Sequence, residues 1–410
     1  MDRFFFGDGH TYPISQERSG INSNAVIVGG TGSGKTESCV VPMLLNNDER
    51  SVVVPISKYK VIRECAGALI DHGYDIRIID FYGDRSNVNY NPFAYFHSIE
   101  DIKNYATDTI VADTHNREDM FWDNATSSVL SAMMHIVSLN AQSEAQDRIP
   151  SMQDLKTFYE TAEMLADNYG TDTDKLFDYL NDIEPGNFAT CAWHSFRKVA
   201  DRTRSCIATT LNTGTQKLFS EKTLRLSSSN ESFDFRSLGR KKTALFIVTS
   251  PTDRYLDSYI NLMYTQIIKE LLTEADQSPD YTLPIPVQLI FDDFACGSVI
   301  NNFEREISIF RAAGISATIL LQSESQLYSC YDCHSATTIL NNCDNYVYLG
   351  GNDWQTCKNI AEKTGKDPKD VLAMPPDNVI IIRRGSTPVT TRRYRIYDDP
   401  NYIKYLKATG

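Results

Sequence analysis

A glycine-rich segment near the start of the chain has the residue types and spacing that bind a triphosphate. It consists of Gly29, Gly30, Thr31, Gly32, Ser33, Gly34, Lys35 and Thr36. The order matches the pattern G-x-x-x-x-G-K-[ST], and a helix that begins at about Lys35 directs its positive dipole end at the same hollow. Lys35 then reaches the β- and γ-phosphates, and the Thr36 hydroxyl holds Mg²⁺. We interpret the segment as a phosphate loop whose ligands are ATP and Mg²⁺.

An acidic pair at the end of a later apolar run supplies the second half of such a site. Val287 to Phe291 have the composition of a buried strand, and Asp292 and Asp293 follow directly. A carboxylate in this position reaches the metal ion of phosphate-loop enzymes, so we assign Asp292 to Mg²⁺. Asp293 stands where many such motors carry a glutamate that activates the attacking water, and its side chain is one methylene shorter. The alternative is a polar turn at a strand end.

Two more residues have suitable positions for catalysis. Gln322 follows the predicted strand at residues 315–321, and its amide can hydrogen-bond the γ-phosphate or the attacking water. Arg311 precedes the helix end at Gly314, and an arginine that reaches the γ-phosphate of a neighbouring subunit stabilises the transition state. The alternatives are an ordinary polar residue at a strand end and a surface arginine.

A parallel sheet is needed to bring these residues together. Apolar runs predict strands at residues 25–28, 51–54, 75–80, 243–249, 286–291, 315–321, 346–349 and 379–382. Apolar residues at helical spacing predict helices at residues 36–45, 58–70, 256–275 and 300–313. Strands and helices in alternation imply right-handed crossovers. We therefore expect an α/β fold with a mainly parallel twisted sheet, one edge of which is covered by the first twenty residues.

The middle of the chain has a different pattern. Helical periodicity prevails there, and predicted helices lie around residues 122–136, 151–165, 174–183 and 195–211. We expect three segments: residues 1–96 as the first part of a nucleotide-binding domain, 97–235 as an inserted all-α domain, and 236–410 as the second part.

The charge balance argues against general binding of polyanions. The 410 residues contain 40 Lys and Arg against 53 Asp and Glu, a net charge of −13, so contact with DNA requires a local basic surface. One candidate is the basic cluster of Arg197, Lys198, Arg202 and Arg204, although we favour its interpretation as a solvated helix face. A second basic cluster lies on the two strands of a predicted C-terminal hairpin and consists of Arg383, Arg384, Arg392, Arg393 and Arg395. We favour a solvated strand edge that discourages aggregation, although such an edge can touch phosphates.

Composition also restricts the cofactors and the compartment. No apolar run approaches the roughly 18 residues of a membrane span, and no signal peptide opens the chain. Nine scattered cysteines suggest free thiols in a reducing cytosol. Cys330 to His334 match the haem-attachment pattern, but haem attachment needs export, and no second set of paired ligands suits zinc. We expect neither haem nor zinc.

Six stretches resemble, in the right order, those of the coupling ATPases of type IV secretion and conjugative DNA transfer. They are residues 29–36, Asn89-Tyr-Asn-Pro-Phe-Ala94, Phe291-Asp-Asp-Phe-Ala295, Phe310-Arg-Ala-Ala-Gly-Ile-Ser316, Leu320-Leu-Gln-Ser-Glu-Ser-Gln-Leu327 and Asn341-Asn-Cys-Asp344. The resemblance implies a RecA-like motor domain interrupted by an all-α, cargo-recognising domain, and a homo-hexamer when active. It gives family roles to Lys35, Thr36, Asp292, Gln322 and Arg311. Two departures are Asp293 in place of glutamate and Pro55-Ile-Ser-Lys-Tyr59 in place of Asp-Pro-Lys-Gly-Glu.

The resemblance also implies partners and a location. Such ATPases pass a relaxase–DNA complex or an effector protein to the components of a type IV secretion channel. We expect a cytoplasmic, bacterial protein that docks at the cytoplasmic face of the cell membrane and contacts DNA through local basic surfaces. Two alternatives stay open. One is a cytosolic double-strand DNA translocase of the segregation type. The other is a nucleotide-gated adaptor with little hydrolysis, which is compatible with Asp293 in place of the usual glutamate.

Overall fold

The computed structural model describes residues 2–111, 120–143, 148–228, 231–250, 252–292, 294 and 299–406. The chain forms two units. The sheet unit is drawn from residues 1–87, 234–252 and 267–410, and the helical unit from residues 88–233 and 253–266. These bounds differ from the predicted ones because residues on either side of the expected insertion pack together within the helical unit. Tyr90, for example, packs against Tyr259 and donates a hydrogen bond to Gln266 (2.7 Å).

A nine-stranded sheet forms the centre of the sheet unit. In chain order the strands are β1 Arg3–Gly7, β2 His10–Pro13, β3 Ala25–Val28, β4 Ser51–Ile56, β5 Asp75–Asp80, β6 Thr243–Val248, β7 Val287–Phe291, β8 Ile315–Leu321, β9 Asn345–Tyr348, β10 Asn378–Arg383 and β11 Val389–Arg392. The sheet has the order β11-β10-β9-β3-β8-β7-β4-β6-β5, while β1 and β2 form a separate hairpin. All neighbours from β9 to β5 are parallel, and β10 and β11 are antiparallel. This confirms the predicted α/β fold with a mainly parallel sheet.

The burial of the strands explains why their sequences are continuous apolar runs. Every residue of β3, β6, β7 and β8 is buried, as expected when helices cover both faces of a parallel sheet. Because β7, β8 and β3 are parallel neighbours, their carboxyl ends meet at one edge. The sheet therefore brings together the residues that follow Val28, Phe291 and Leu321.

The helix after the phosphate loop differs from the single α-helix predicted at residues 36–45. Thr36–Val40 form a π-helical turn, and an α-helix, α2, follows at Val41–Leu45. The Val41 N–H donates to the Thr36 carbonyl, five residues earlier. Pro42 comes next and has no N–H to continue an ordinary α-helical ladder through this turn, which explains the wider spacing.

The other helices of the sheet unit flank the sheet. They are α1 Gln16–Ser19, α3 Lys60–Asp71, a 3₁₀ turn at Phe235–Gly239, α12 Phe303–Ala313, α13 Glu324–Cys330, α14 Cys333–Asn341, α15 Trp354–Thr364, α16 Pro368–Leu372, a 3₁₀ turn at Ile396–Asp398 and α17 Pro400–Leu406. The β1–β2 hairpin lies at the sheet edge, where the Asp8 N–H donates to the Arg392 carbonyl of β11 (2.9 Å).

Helices make up the second unit. They are a 3₁₀ turn at Pro92–Tyr95, α4 Ile99–Val111, α5 Met120–Ser143, α6 Met152–Thr161, α7 Asp172–Ile183, α8 Phe188–Lys198, α9 Asp201–Thr215, α10 Glu221–Leu226 and the first half of α11, Asp257–Asp276. The prediction of one helix at residues 195–211 is wrong, because Val199 and Ala200 have extended backbone angles that separate α8 from α9. Over the described ranges, no helix combines the length and apolar character that a bilayer crossing requires.

Candidate nucleotide-binding site

The phosphate loop is fixed between two strands that neighbour β3. The Gly29 N–H donates to the Leu321 carbonyl at the end of β8 (3.0 Å), and the Gly30 N–H donates to the Gly350 carbonyl beyond β9 (2.8 Å). Gly32 and Gly34 have φ values of 73° and 75°, which other residues rarely adopt. The glycines of the sequence pattern therefore have a direct conformational reason.

Two side chains of the loop are arranged for an anion. The Lys35 ammonium is buried within the loop and donates to the Gly29 carbonyl (2.6 Å). The Ser33 hydroxyl is buried, and no hydrogen-bond partner for it is found among the described residues. A buried hydroxyl without a partner costs free energy unless a ligand satisfies it. A phosphate oxygen is such a ligand, so the residues of the loop fit a nucleotide.

The two predicted metal ligands are neighbours. The Thr36 hydroxyl donates to the Asp292 carboxylate (3.3 Å). Hydroxyl and carboxylate oxygens suit Mg²⁺, which takes few protein ligands and completes its shell with water and substrate phosphates. Within the described part of the chain, no group of three or more His, Cys, Asp or Glu side chains forms a metal site of its own. Asp293 lies outside the described residues, so its role as the base stays a prediction.

Gln322 lies at the loop, whereas Arg311 does not. The Thr31 hydroxyl donates to the Gln322 side-chain oxygen (3.5 Å), which brings the amide to the rim of the cradle. Arg311 is exposed near the end of α12, before the seven-residue strand β8. At about 3.3 Å per residue, β8 separates the end of α12 from Gln322 by roughly 20 Å. The structure thus does not bring Arg311 to the phosphate loop of its own chain.

Arg393 is a site residue for which the favoured sequence interpretation is wrong. We interpreted it as part of a solvated strand edge, but its guanidinium is partly buried and donates to the Ser33 carbonyl of the loop and to the Leu349 carbonyl (3.2 Å). Burial lowers the pKa of Arg393 from its ordinary value, although an arginine stays charged. No local pattern connects residues 33 and 393, so only the three-dimensional fold identifies this contact.

The chain from Arg393 onward runs along α2 and α3, the helices that follow the loop in sequence. We call residues 393–406 the C-terminal strap. Asp399 of the strap accepts a hydrogen bond from Asn46 at the end of α2 (3.0 Å), and Tyr405 donates to Asp71 of α3 (2.6 Å). The strap is therefore attached both to the loop and to the two helices that follow it.

Half of the basic cluster in the helical unit has a structural role. Arg197 is buried, forms an ion pair with Asp174 (3.1 Å) and donates to the Met164 carbonyl (3.0 Å). Arg204 is also buried and donates to Asp201 (2.7 Å). The interpretation of these two residues as part of a solvated helix face is wrong. Two cluster members are exposed, Lys198 and Arg202.

Comparison with protein-family models identifies one family. The family model described as type IV secretory system conjugative DNA transfer matches residues 4–367, and no curated protein sequence matches the chain. The bacterial conjugative coupling protein TrwBdeltaN70, solved with sulphate, has 17% identity and a TM-score of 0.67 over 90% of this chain and 85% of that chain.

Two further solved structures are similar. The plasmid coupling protein TrwB in complex with ADP and Mg²⁺ has 17% identity and a TM-score of 0.66 over 92% of this chain and 87% of that chain. VirB4 of Thermoanaerobacter pseudethanolicus has 12% identity and a TM-score of 0.59 over 96% of each chain. At these identities the likeness concerns the fold, and it confirms the RecA-like phosphate-loop architecture expected from the sequence.

Proposed function

The chain belongs to the type IV secretory system conjugative DNA transfer family, and from this premise we propose that it is a coupling ATPase. In this proposal it binds Mg²⁺-ATP, hydrolyses it, and uses the cycle to deliver cargo to a type IV secretion channel. Its relative TrwB has been solved with ADP and Mg²⁺ and with an ATP analogue, which supports the choice of ligands.

One observation carries the proposal, namely the meeting of three chemical functions at one edge of the sheet. The loop lysine Lys35, the Thr36–Asp292 pair and the Gln322 amide follow β3, β7 and β8, three adjacent strands. Such an arrangement holds a triphosphate at its β–γ end, where hydrolysis takes place.

Each side chain has a defined task in the proposed reaction. The Lys35 ammonium leaves the Gly29 carbonyl and contacts the β- and γ-phosphates. The Ser33 hydroxyl, for which the described residues offer no partner, gains a hydrogen bond to phosphate. Thr36 and Asp292 hold Mg²⁺, which neutralises charge on the phosphates when bound. Gln322 orients the attacking water or contacts the γ-phosphate. Asp293 takes the proton of that water.

The reaction is completed by a second copy of the chain. Arg311 is exposed and distant from its own loop, so we assign it to the γ-phosphate of an adjacent subunit in a ring, a homo-hexamer as in the resemblance. An arginine supplied in this way increases the rate of phosphoryl transfer by roughly 10³- to 10⁵-fold.

Cargo recognition belongs to the helical unit in this proposal. Cargo is a relaxase–DNA complex or an effector protein, and the site of action is the cytoplasmic face of the cell membrane. The net charge of −13 supports recognition through protein surfaces and a few local basic residues, because a uniformly acidic surface repels DNA.

The proposed function is tested by phosphate release from Mg²⁺-ATP, with and without DNA. We expect hydrolysis by the parent protein, and Lys35→Ala to abolish it and to weaken nucleotide binding, because the β- and γ-phosphates lose their point charge. Lys366→Ala removes an exposed lysine elsewhere in the sheet unit and is the matched control. Turnover by Lys35→Ala at the parent rate would refute the assignment of the phosphate loop.

A further inference from the structure

The strand order gives the phosphate loop two distinct sides. On one side of β3 lie β8 and β7, which are followed by Gln322 and Asp292, the residues that the proposed function assigns to the γ-phosphate and the metal. On the other side lie β9, β10 and β11. The C-terminal strap follows β11 and contacts the loop at Ser33. A nucleoside triphosphate carries its nucleoside at the end opposite the γ-phosphate.

Arg393 marks the beginning of this second side. Its guanidinium contacts the Ser33 carbonyl within the loop, and its Nη1 lies 3.5 Å from where a side chain on Gly34 would begin. A fixed positive charge thus lies beside Ser33 and Gly34 of the loop. Arginine is also planar and stacks well on aromatic rings.

Tyr397 lies four residues further along the strap. Its side chain is 64% exposed, yet it is held in place by two contacts. Its hydroxyl donates to Glu37 (2.6 Å), the residue immediately after Thr36, and its ring packs edge-on against Tyr402 at 5.5 Å between centroids. An exposed aromatic ring that is anchored this close to a phosphate loop is a preorganised surface for a flat ligand.

We propose that Tyr397 and Arg393 form the nucleoside subsite of the nucleotide site, with the base stacked on the Tyr397 ring and Arg393 facing the α-phosphate end. The inference rests on the proposed function, since it needs the loop to bind a nucleoside triphosphate. Stacking tolerates any base because every base has a π-face. The subsite therefore accepts both ATP and GTP.

The test compares ligands with and without a nucleoside. Dissociation constants are measured for Mg²⁺-ATP, Mg²⁺-GTP and Mg²⁺-tripolyphosphate by isothermal titration. We expect Tyr397→Ala to weaken ATP and GTP by roughly 5- to 100-fold, the range of base stacking, and to leave tripolyphosphate unchanged. Tyr397→Phe keeps the ring without its bond to Glu37 and should lose less affinity than Tyr397→Ala.

The matched control is Tyr179→Ala. Tyr179 is an equally exposed tyrosine, at 63%, in the helical unit, and its removal should leave all three constants unchanged. Parent-like binding of ATP by Tyr397→Ala would overturn the subsite. Equal losses for ATP and tripolyphosphate would overturn it as well, because the ring would then act only through the loop.

Failure of the proposed function has a different signature. A parent protein that binds none of the three ligands, or a Lys35→Ala variant that binds all three normally, removes the nucleotide site itself. The subsite alone is refuted when Lys35→Ala loses affinity for ATP and tripolyphosphate while Tyr397→Ala binds ATP with the parent's affinity.

Discussion

Two successive carboxylates follow β7, and the proposed chemistry requires different things of them. Asp292 needs to stay ionised beside Thr36 so that both oxygens can serve a metal ion. Asp293 needs to reach a water molecule in line with the γ-phosphate, and an aspartate reaches less far than a glutamate. The length of the Asp293 side chain therefore affects the rate of hydrolysis and not the affinity for nucleotide.

Substitutions at Asp293 separate these two effects. We expect Asp293→Asn to lower kcat for phosphate release by roughly 10²- to 10⁴-fold, as for loss of a general base. Asp293→Glu should keep or raise kcat. Both variants should bind Mg²⁺-ATP like the parent. An asparagine variant with the parent's turnover would mean that another group accepts the proton.

Asp174 organises the middle of the helical unit at the scale of helices. It caps α7 as the third residue of a capping box with Thr171, accepts a hydrogen bond from the Trp193 indole (2.8 Å), and pairs with Arg197. Desolvation alone would raise the pKa of Asp174, but hydrogen bonds from the Gly170 N–H and from Trp193 outweigh it and hold the pKa below its ordinary 3.8. Two helices and a loop thus depend on one ionised carboxylate.

This dependence predicts how the helical unit responds to acid. A carboxylate whose pKa is lower in the folded state stabilises the fold at pH values above its unfolded pKa, and the contribution is lost as pH falls through the folded value. At pH 7 we expect Asp174→Asn to lower the free energy of unfolding by about 3–5 kcal/mol, since it leaves the buried Arg197 charge without the carboxylate that forms its ion pair. The difference from the parent should shrink below about pH 4.

Urea unfolding followed by tryptophan fluorescence, at pH 7 and at pH 3, measures this difference. Asp172→Asn is the control, because Asp172 lies on the same helix but is 94% exposed, and its variant should unfold like the parent at both pH values. An Asp174→Asn penalty that is independent of pH would show that the carboxylate stabilises by shape alone.

The elements also show what a sequence can and cannot predict. The bounds of β3, β5 and β8 agree residue for residue with the predicted ones. Apolar runs define β3 and β8, and the isoleucines of β5 lie between two aspartates, Asp75 and Asp80. The division of α8 from α9 was missed because Val199 and Ala200 are compatible with a helix locally. The contact of Arg393 with the loop, and the burial of Arg197 against Asp174, join residues that are distant in sequence. No periodicity encodes such pairs.

At the scale of the whole molecule, the proposed role of Arg311 in a neighbouring site predicts that activity is a property of an assembly. A ring in which each subunit lends Arg311 to the next has catalytic sites only where two chains meet. The rate per chain then depends on how many chains are assembled.

Mixing two inactive variants tests this arrangement. Arg311→Ala and Lys35→Ala should each be inactive, Arg311→Ala by roughly 10³- to 10⁵-fold. A mixture should regain part of the ATPase rate, because some interfaces pair an intact loop with an intact arginine. Parent activity per chain should also rise with protein concentration. Arg305→Ala, an exposed arginine on the same helix, is the control and should behave like the parent.

Two results would contradict the shared site. One is an Arg311→Ala protein as fast as the parent. The other is a specific rate that does not change with protein concentration.

The order of strands in the sheet has a consequence for how the protein is made on the ribosome. None of β3, β4 and β5, which are synthesised before the helical unit, pairs with another of the three. β3 pairs with β8 and β9, β4 with β6 and β7, and β5 with β6. While the helical unit is being translated, the backbone groups along both edges of these strands therefore have no partner strand. Unpaired strand edges favour aggregation. The phosphate loop acquires its shape only after Leu321 and Gly350, whose carbonyls fix Gly29 and Gly30, have both been synthesised.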